Sequence, residues 1–186
     1  FMGALAGFYN GTWVDHAICW LYGCIDSIPF YLFVAAVGYS LKGSSYSMHV
    51  AMIATYWTST ARILRGGVMK IKRLEYIEAT RAMGVNPFKV IFRHVIPNAS
   101  HIILVQSTII FVGSIKSEVI LSFLGLGVKD SISWGIMIAE STSEVAAGRF
   151  GNFLSASILL SILVMAFNIF ADSLQDALDP KKVSNS

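Results

Sequence analysis

The side chains of this chain that could do chemistry are few and scattered. The two cysteines, Cys19 and Cys24, are five residues apart, which is not the spacing of a metal or redox pair, and we interpret them as small apolar fillers. The sequence has no His-Glu-x-x-His motif and no G-x-x-x-x-G-K-[ST] phosphate loop. We therefore expect no catalytic site, no metal site and no bound cofactor. The four histidines are scattered: His16, His49, His94 and His101.

Composition points to a membrane. Hydrophobic residues make up 55% of the 186 residues and charged residues 13%, about half of the roughly 25% found in soluble domains. The mean hydropathy is +0.64. This hydrophobicity excludes intrinsic disorder, two cysteines cannot form a disulfide scaffold, and a net charge of +3 is too small to indicate nucleic acid. The remaining class is an all-α, polytopic helical membrane protein.

Four segments are long and apolar enough to cross about 30 Å of hydrocarbon, and they are residues 17–41, 47–65, 99–128 and 152–171. The second is rich in threonine and serine, whose hydroxyls can bond across helices or to their own backbone. The alternative is a buried amphipathic helix of a soluble domain. Gly125 and Gly127 are predicted to end the third span.

The chain opens on an apolar run, Phe1–Gly7. We interpret this run as the end of a further span, so that residues 1–186 are the C-terminal part of a single, N-terminally incomplete transmembrane domain.

Eight of the fourteen basic residues fall in one stretch, which makes the loop 66–98 cytoplasmic by the positive-inside rule. The loop 129–151 has two basic residues and is predicted to lie outside, and the tail 172–186 returns inside. The Lys42–Ser47 turn is then outside and the Tyr9–His16 turn inside. The eight residues are Arg62, Arg65, Lys70, Lys72, Arg73, Arg81, Lys89 and Arg93.

Asp26 and Lys116 are charged side chains within predicted spans. A charge in hydrocarbon costs several kcal/mol unless it is paired or hydrated. Each is therefore a candidate for lining a translocation path. Equally, either could lie near an interface and extend its charged end to water.

The loop 66–98 is too long for a simple connection and reads as two short helices. The first, residues 72–83, is predicted to stop at Gly84, a natural C-cap position. The second starts with Asn86 as N-cap and Pro87 at N1. Such an arrangement suits docking to a soluble partner, and the alternative is a surface loop kept soluble by charge. Within the second helix Val90, Ile91 and Val95 share one side, and Pro97 is predicted to end it.

This loop resembles the "EAA" loop of ABC importer membrane subunits. That loop runs Glu-Ala-Ala, three residues, Gly, nine residues, Ile, one residue, Leu-Pro. Here the matching residues are Glu78-Ala79-Thr80, Gly84, His94 and Ile96-Pro97. Thr80, His94 and Ile96 depart from the pattern, and the Arg93-His94 pair is familiar from the peptide branch.

Further motifs in the same order extend the resemblance over nearly the whole chain. They are similar to those of dipeptide/oligopeptide permease C-type subunits, which predicts the transmembrane domain of a type I importer. The family often has a basic and an acidic residue where Trp20 and Gly23 stand. Because this difference lies within a span, the resemblance does not decide which substrate is transported. The motifs are Gly7–Gly11 with Trp13–Asp15, Glu118–Gly127, Ser133–Gly135, and Phe167-Asn168 through Asp176–Pro180.

The resemblance implies a bacterial inner-membrane permease with a cytoplasmic C-terminus. Its expected partners are a second permease subunit, two ATPase subunits that bind the ATP, an extracytoplasmic binding protein and membrane lipid, but no nucleic acid. Glu118 is expected to make a structural contact with a neighbouring helix. By analogy, the ATPase-coupling residues are Glu78, Ala79, Thr80, Arg81, Gly84 and Pro97.

The substrate implied by the resemblance is a di- or oligopeptide. The branch also handles nickel chelates, haem and glutathione, and specificity usually resides in the binding protein. A channel or a secondary transporter driven by an ion gradient is the alternative of a different class, although it would need paired intramembrane charges and no docking loop. A membrane enzyme would need a catalytic motif, and we find none.

Overall fold

A computed structural model describes residues 1–41, 46–127 and 132–178, and it contains helices but no strand in these ranges. The predicted all-α class is confirmed. Part of the predicted 42–47 turn, Lys129, and residues 179–186 of the predicted tail lie outside the described residues. The helices are α1 (Met2–Phe8), α2 (Trp13–Asp26), α3 (Phe30–Ser40), α4 (Ser47–Ile71), α5 (Glu75–Ala82), α6 (Pro87–Val90), a π-helical turn (Ile91–Val95), α7 (Ile96–Asn98), α8 (Ser100–Phe123), α9 (Trp134–Glu140), α10 (Thr142–Ala146) and α11 (Gly151–Leu178).

Two described helices, α8 and α11, are long and apolar enough to cross a membrane by themselves. The pair α2 and α3 passes only if it is counted as one broken span. The break lies at Ser27–Pro29, where Pro29 has an extended backbone (ψ 128°) and no N–H to continue the ladder of α2. The four predicted spans thus stay predictions as a set, with the first interrupted.

Helix α4 covers the second predicted span and continues six residues into the predicted loop. Its hydroxyl groups behave as expected for a helix bundle. The Thr58 hydroxyl donates across to Asp26 of α2 (2.8 Å), and that of Thr60 points to the carbonyl oxygen of Tyr56 (3.5 Å).

Residues 1–28 and 55–107 form one compact unit. Its apolar core contains Phe8 of α1, Val68 of α4, Ile77 of α5 and Val95 of the π-helical turn. Two glycines bring α1 against α4. A Cβ added at Gly7 would lie 2.7 Å from the Arg65 carbonyl oxygen and 2.8 Å from Val68 Cβ, and one at Gly3 would overlap the backbone of Ala61. The contact between these helices is therefore backbone to backbone.

A second unit contains residues 29–54 and the chain from residue 108 onward. Within it α8 ends as predicted, because Gly125 has φ +77° and the Leu126 N–H bonds back to the Leu121 carbonyl (2.8 Å). Helix α9 lies close to α8, since a Cβ at Gly135 would be 2.8 Å from Val119 Cα. The Ser133 side chain caps α9 by accepting from the Ile136 N–H (3.2 Å).

Candidate functional site

Helix α5 carries five of the six predicted coupling residues on itself or at its end. It is shorter than predicted, because the chain turns at 72–74 before the helix begins at Glu75. At the other end, the Gly84 N–H donates to the Arg81 carbonyl (3.0 Å) and the Val85 N–H to the Thr80 carbonyl (3.4 Å). Gly84 has φ +74°. This is a Schellman ending, and the predicted stop at Gly84 is confirmed.

One side chain fixes the inner face of α5. Ile77 is fully buried in the apolar core of its unit. The guanidinium of Arg81 adds a contact over the ring of Phe8, at 5.4 Å from the centroid. The helix is thus held to the unit by a narrow stripe, and its remaining surface is accessible.

The outer face of α5 carries small, exposed residues. Glu78, Ala79, Ala82 and Gly84 are all exposed, and a Cβ at Gly84 would meet nothing within 4 Å. Thr80 is half-buried, and its hydroxyl donates to the Tyr76 carbonyl (2.7 Å). Small exposed residues of this kind allow another protein to approach the helix backbone closely.

The start of the second loop helix follows the predicted capping rules. The Asn86 side chain accepts from the Phe88 N–H (2.9 Å), and Pro87 occupies N1. The three residues predicted to share one side, Val90, Ile91 and Val95, are all fully buried. Local sequence signals were therefore sufficient for the start of this segment and for the residues that share its inner side.

The prediction that Pro97 ends this helix is wrong. The chain instead passes through the π-helical turn into α7, which contains Pro97. Because Pro97 has no N–H, the usual i→i−4 bond to Arg93 cannot form. The hydrogen-bond register has already shifted by one residue, with the Ile96 N–H donating to the Ile91 carbonyl, so the proline is accommodated within the winding.

A buried ion pair joins α2 to α4. Arg65 Nε and an Nη lie 2.6 and 2.8 Å from the two carboxylate oxygens of Asp15, whose side chain is 2% exposed. The Asn10 amide (3.0 Å) and the Gly11 N–H (2.9 Å) donate to the same carboxylate. Asp15 is therefore a fully partnered charge at the start of α2.

Lys72, just after α4, contacts the end of α1, directly before the same turn. Its ammonium donates to the Phe8 carbonyl (3.1 Å). Burial lowers the pKa of this lysine. Together with the Asp15–Arg65 pair, this contact places the 9–16 turn next to the basic segment that follows α4.

Asp26, a predicted pathway residue, is paired. It forms a salt bridge with Arg62 and accepts from Thr58. Arg62 also lies over the ring of Tyr22, 5.1 Å from its centroid. The Asp26–Arg62 pair is much more exposed than the Asp15–Arg65 pair, with 32% and 57% of the two side chains accessible.

Cys19 lies between these pairs and is not only an apolar filler. Its thiol donates to Asp15 (3.3 Å), and the Tyr22 hydroxyl donates to its sulfur (2.9 Å). The prediction is wrong for Cys19 because the carboxylate lies four residues earlier on the same helix face. Cys24 is exposed.

The two charges on α8 differ in setting. Lys116 is exposed, and among the described residues no carboxylate lies within salt-bridge distance of it. Glu118 accepts from the Ser122 hydroxyl (2.6 Å) on its own helix. It also lines a cavity of about 490 Å³ beside Trp134 and Met137 of α9.

Comparison with known proteins decides the family. Residues 1–184 match the family described as "Binding-protein-dependent transport system inner membrane component". The chain belongs to this family. The family predicted from the motifs is thereby confirmed.

Curated relatives of this chain are named for peptides and glutathione. It is 33% identical over 96% of its length to a dipeptide transport system permease protein of Bacillus subtilis (strain 168), and covers 56% of that protein. It is 35% identical over 96% to an oligopeptide transport system permease protein of Mycobacterium bovis, covering 62%. A glutathione transport system permease protein of Pectobacterium atrosepticum is 37% identical over 97%, with 60% covered. The chain thus spans about six-tenths of these relatives.

The Asp15–Arg65 pair, whose charges have several bonding partners, was not predicted as a site. In the sequence, Asp15 stands out only as part of a turn motif, and Arg65 only as one of eight basic residues. The available signal was an acid at the start of an apolar helix, because such a charge needs a partner. Nothing in the sequence says which of the eight basic residues it is.

Proposed function

We propose that this chain is the membrane-spanning part of an ATP-driven, binding-protein-dependent importer, and that α5 couples it to an ATPase subunit. The observation that carries this proposal is the shape of α5. One face is fixed by the buried Ile77, and the opposite face offers Ala79, Ala82 and Gly84 for close approach. A short helix held in this way can transmit a push without bending.

The charged residues of α5 complete the docking surface. Glu78 and Arg81 are exposed beside the small residues and can pair with charges on a partner. The Thr80 hydroxyl bonds to the Tyr76 carbonyl within the helix, and Pro97 lies in α7 beside Asn98, whose amide bonds to Tyr76 of α5. The partners of the proposed assembly are two ATPase subunits that bind the ATP, a second permease subunit, an extracytoplasmic binding protein and membrane lipid.

The proposed substrates are di- and oligopeptides. The relatives are named for dipeptides, oligopeptides and glutathione, which is itself a tripeptide, and this shared chemistry supports a peptide over a nickel chelate or haem. Asp26 and Lys116 stay proposed pathway residues. If Asp26 lines the path, Arg62 lines it as well, because the two form a salt bridge.

The function can be tested with the full-length permease expressed with the ATPase, permease and binding-protein genes beside its own. We expect the ATPase subunits to copurify with it, and their activity in liposomes to rise with binding protein plus dialanine, trialanine or glutathione. Liposomes without the permease are the control. Uptake driven by an ion gradient without ATP, or no ATPase recovered, would contradict the proposal.

The proposed orientation puts the C-terminus and the 66–98 loop in the cytoplasm. The contacts of Arg65 with Asp15 and of Lys72 with Phe8 agree with the predicted alternation, because they bring the 9–16 turn and the start of the 66–98 loop to the same side; the positive-inside rule assigns that side to the cytoplasm. We expect a cysteine at Ala146 to react with an impermeant maleimide in intact spheroplasts, and one at Lys89 only after lysis. Both positions are exposed.

The unsubstituted permease, with Cys19 and Cys24, gives the background for this labelling. Reaction of the Lys89 cysteine from outside, with protection at Ala146, would reverse the orientation and remove α5 from the ATPase side.

A further inference from the structure

The side-chain amide of Asn98 joins α5 to the segment directly before α8. Asn98 Nδ2 donates to the Tyr76 hydroxyl oxygen (2.6 Å) and to the His94 carbonyl (2.6 Å). Tyr76 belongs to α5, whereas Asn98 is the last residue of α7, two residues before α8 begins. The contact therefore bridges 22 residues of sequence.

The covalent path between the same two points is long and indirect. It passes through the turn at Gly84 and then through the π-helical turn that precedes Pro97. π-helical turns are frequent at functional sites, and a proline withholds one backbone hydrogen bond from a helix. The main chain therefore offers no direct connection between Tyr76 and Asn98.

The side-chain contact supplies what the main chain does not. The Asn98 amide donates both to the His94 carbonyl, four residues earlier in the chain, and to the Tyr76 hydroxyl. Hydrogen bonds are directional, so the position of the amide is defined relative to both partners. The Tyr76 ring also meets the His94 ring edge-on, with centroids 6.5 Å apart. By comparison, the apolar contact of Ile77 holds α5 in place but prescribes no direction.

We propose that Tyr76 and Asn98 form a positioning link that transmits the displacement of α5 to the start of α8. This inference rests on the proposed coupling role of α5 and deepens it, because it names the residues through which ATPase motion reaches a membrane-spanning helix. Both side chains are exposed, so the link contributes to the alignment of the two helices more than to the stability of the fold.

The test uses the full-length permease complex in liposomes, with radiolabelled dialanine and trialanine as probes. The variants are Tyr76→Phe, which removes only the hydroxyl, Asn98→Ala, and the double variant. We expect ATPase recovery and basal hydrolysis to stay unchanged, while peptide taken up per ATP hydrolysed falls about two- to tenfold, the range of one net hydrogen bond. The double variant should be no worse than the more impaired single variant, because both break the same link.

Tyr31→Phe, which removes a hydroxyl from an exposed tyrosine of α3, is the matched control and should couple as the wild type does. Unchanged uptake per ATP in Tyr76→Phe would overturn the link, as would additive losses in the double variant. If Asn98→Ala is not recovered, Tyr76→Phe alone decides. A wild type that recovers no ATPase refutes the proposed function, whereas a coupled wild type with equally coupled variants refutes only the link.

Discussion

Replacing Arg65 with alanine is expected to lower the stability and the yield of the folded protein more than removing the exposed charge of Arg62 or Glu78. The change leaves the Asp15 carboxylate, 2% exposed, without its cation. Removing one partner of a buried pair typically destabilises a protein by about 3–5 kcal/mol, because the remaining charge is buried and uncompensated. The melting temperature and yield of the full-length complex in detergent measure the effect.

Arg62→Ala provides the matched control on the same helix. Its pair with Asp26 is largely exposed, and exposed pairs contribute only about 0–1 kcal/mol. The double variant Asp15→Asn with Arg65→Gln should be more stable than Arg65→Ala, since no buried charge is then left alone. Equal melting temperatures for Arg65→Ala and Arg62→Ala would show that the buried pair has no special structural role.

Gly84→Val is expected to give an inserted subunit that no longer couples. Gly84 has φ +74°, a conformation that costs an L-residue about 1–2 kcal/mol and a β-branched residue more. The space around it in this chain is open, so the added side chain would instead obstruct a partner approaching α5. Recovery of the ATPase in a pull-down and peptide-stimulated hydrolysis in lipid are the measurements.

Two companion changes separate these causes. Gly84→Asn keeps a residue that tolerates positive φ but adds bulk, so it should fold normally and still weaken docking. Glu78→Ala should be milder, because an exposed ion pair contributes little. Full ATPase recovery and full stimulation in Gly84→Val would mean that α5 is not the coupling element.

Local signals in the sequence were reliable where local energetics decide the structure. Gly84, Asn86 and Pro87 ended one helix and began the next as predicted, because a positive φ, a side-chain acceptor and a missing N–H each act within a few residues. Helical spacing predicted that Val90, Ile91 and Val95 share one side, and all three are buried. The end of the first loop helix and the start of the second could therefore be predicted without knowing what surrounds them.

The failures have equally specific causes. Pro97 was expected to stop a helix, but the π-helical turn before it shifts the bonding register and accommodates the ring. The Asp15–Arg65 pair joins residues 50 apart, and that separation is set by how α1, α2 and α4 pack. Sequence spacing carries no information about such a pairing.

The glycine contact between α1 and α4 restricts how this unit can change shape. A Cβ would clash with the Ala61 main chain at Gly3, and with the Arg65 main chain and the buried, β-branched Val68 side chain at Gly7, so few side-chain rearrangements could accept a sliding motion. We therefore expect the two helices to keep one register and to behave as a fixed frame. A displacement of this unit is then expected to be taken up by elements whose contacts are made through longer side chains, and the exposed α5 is one of them.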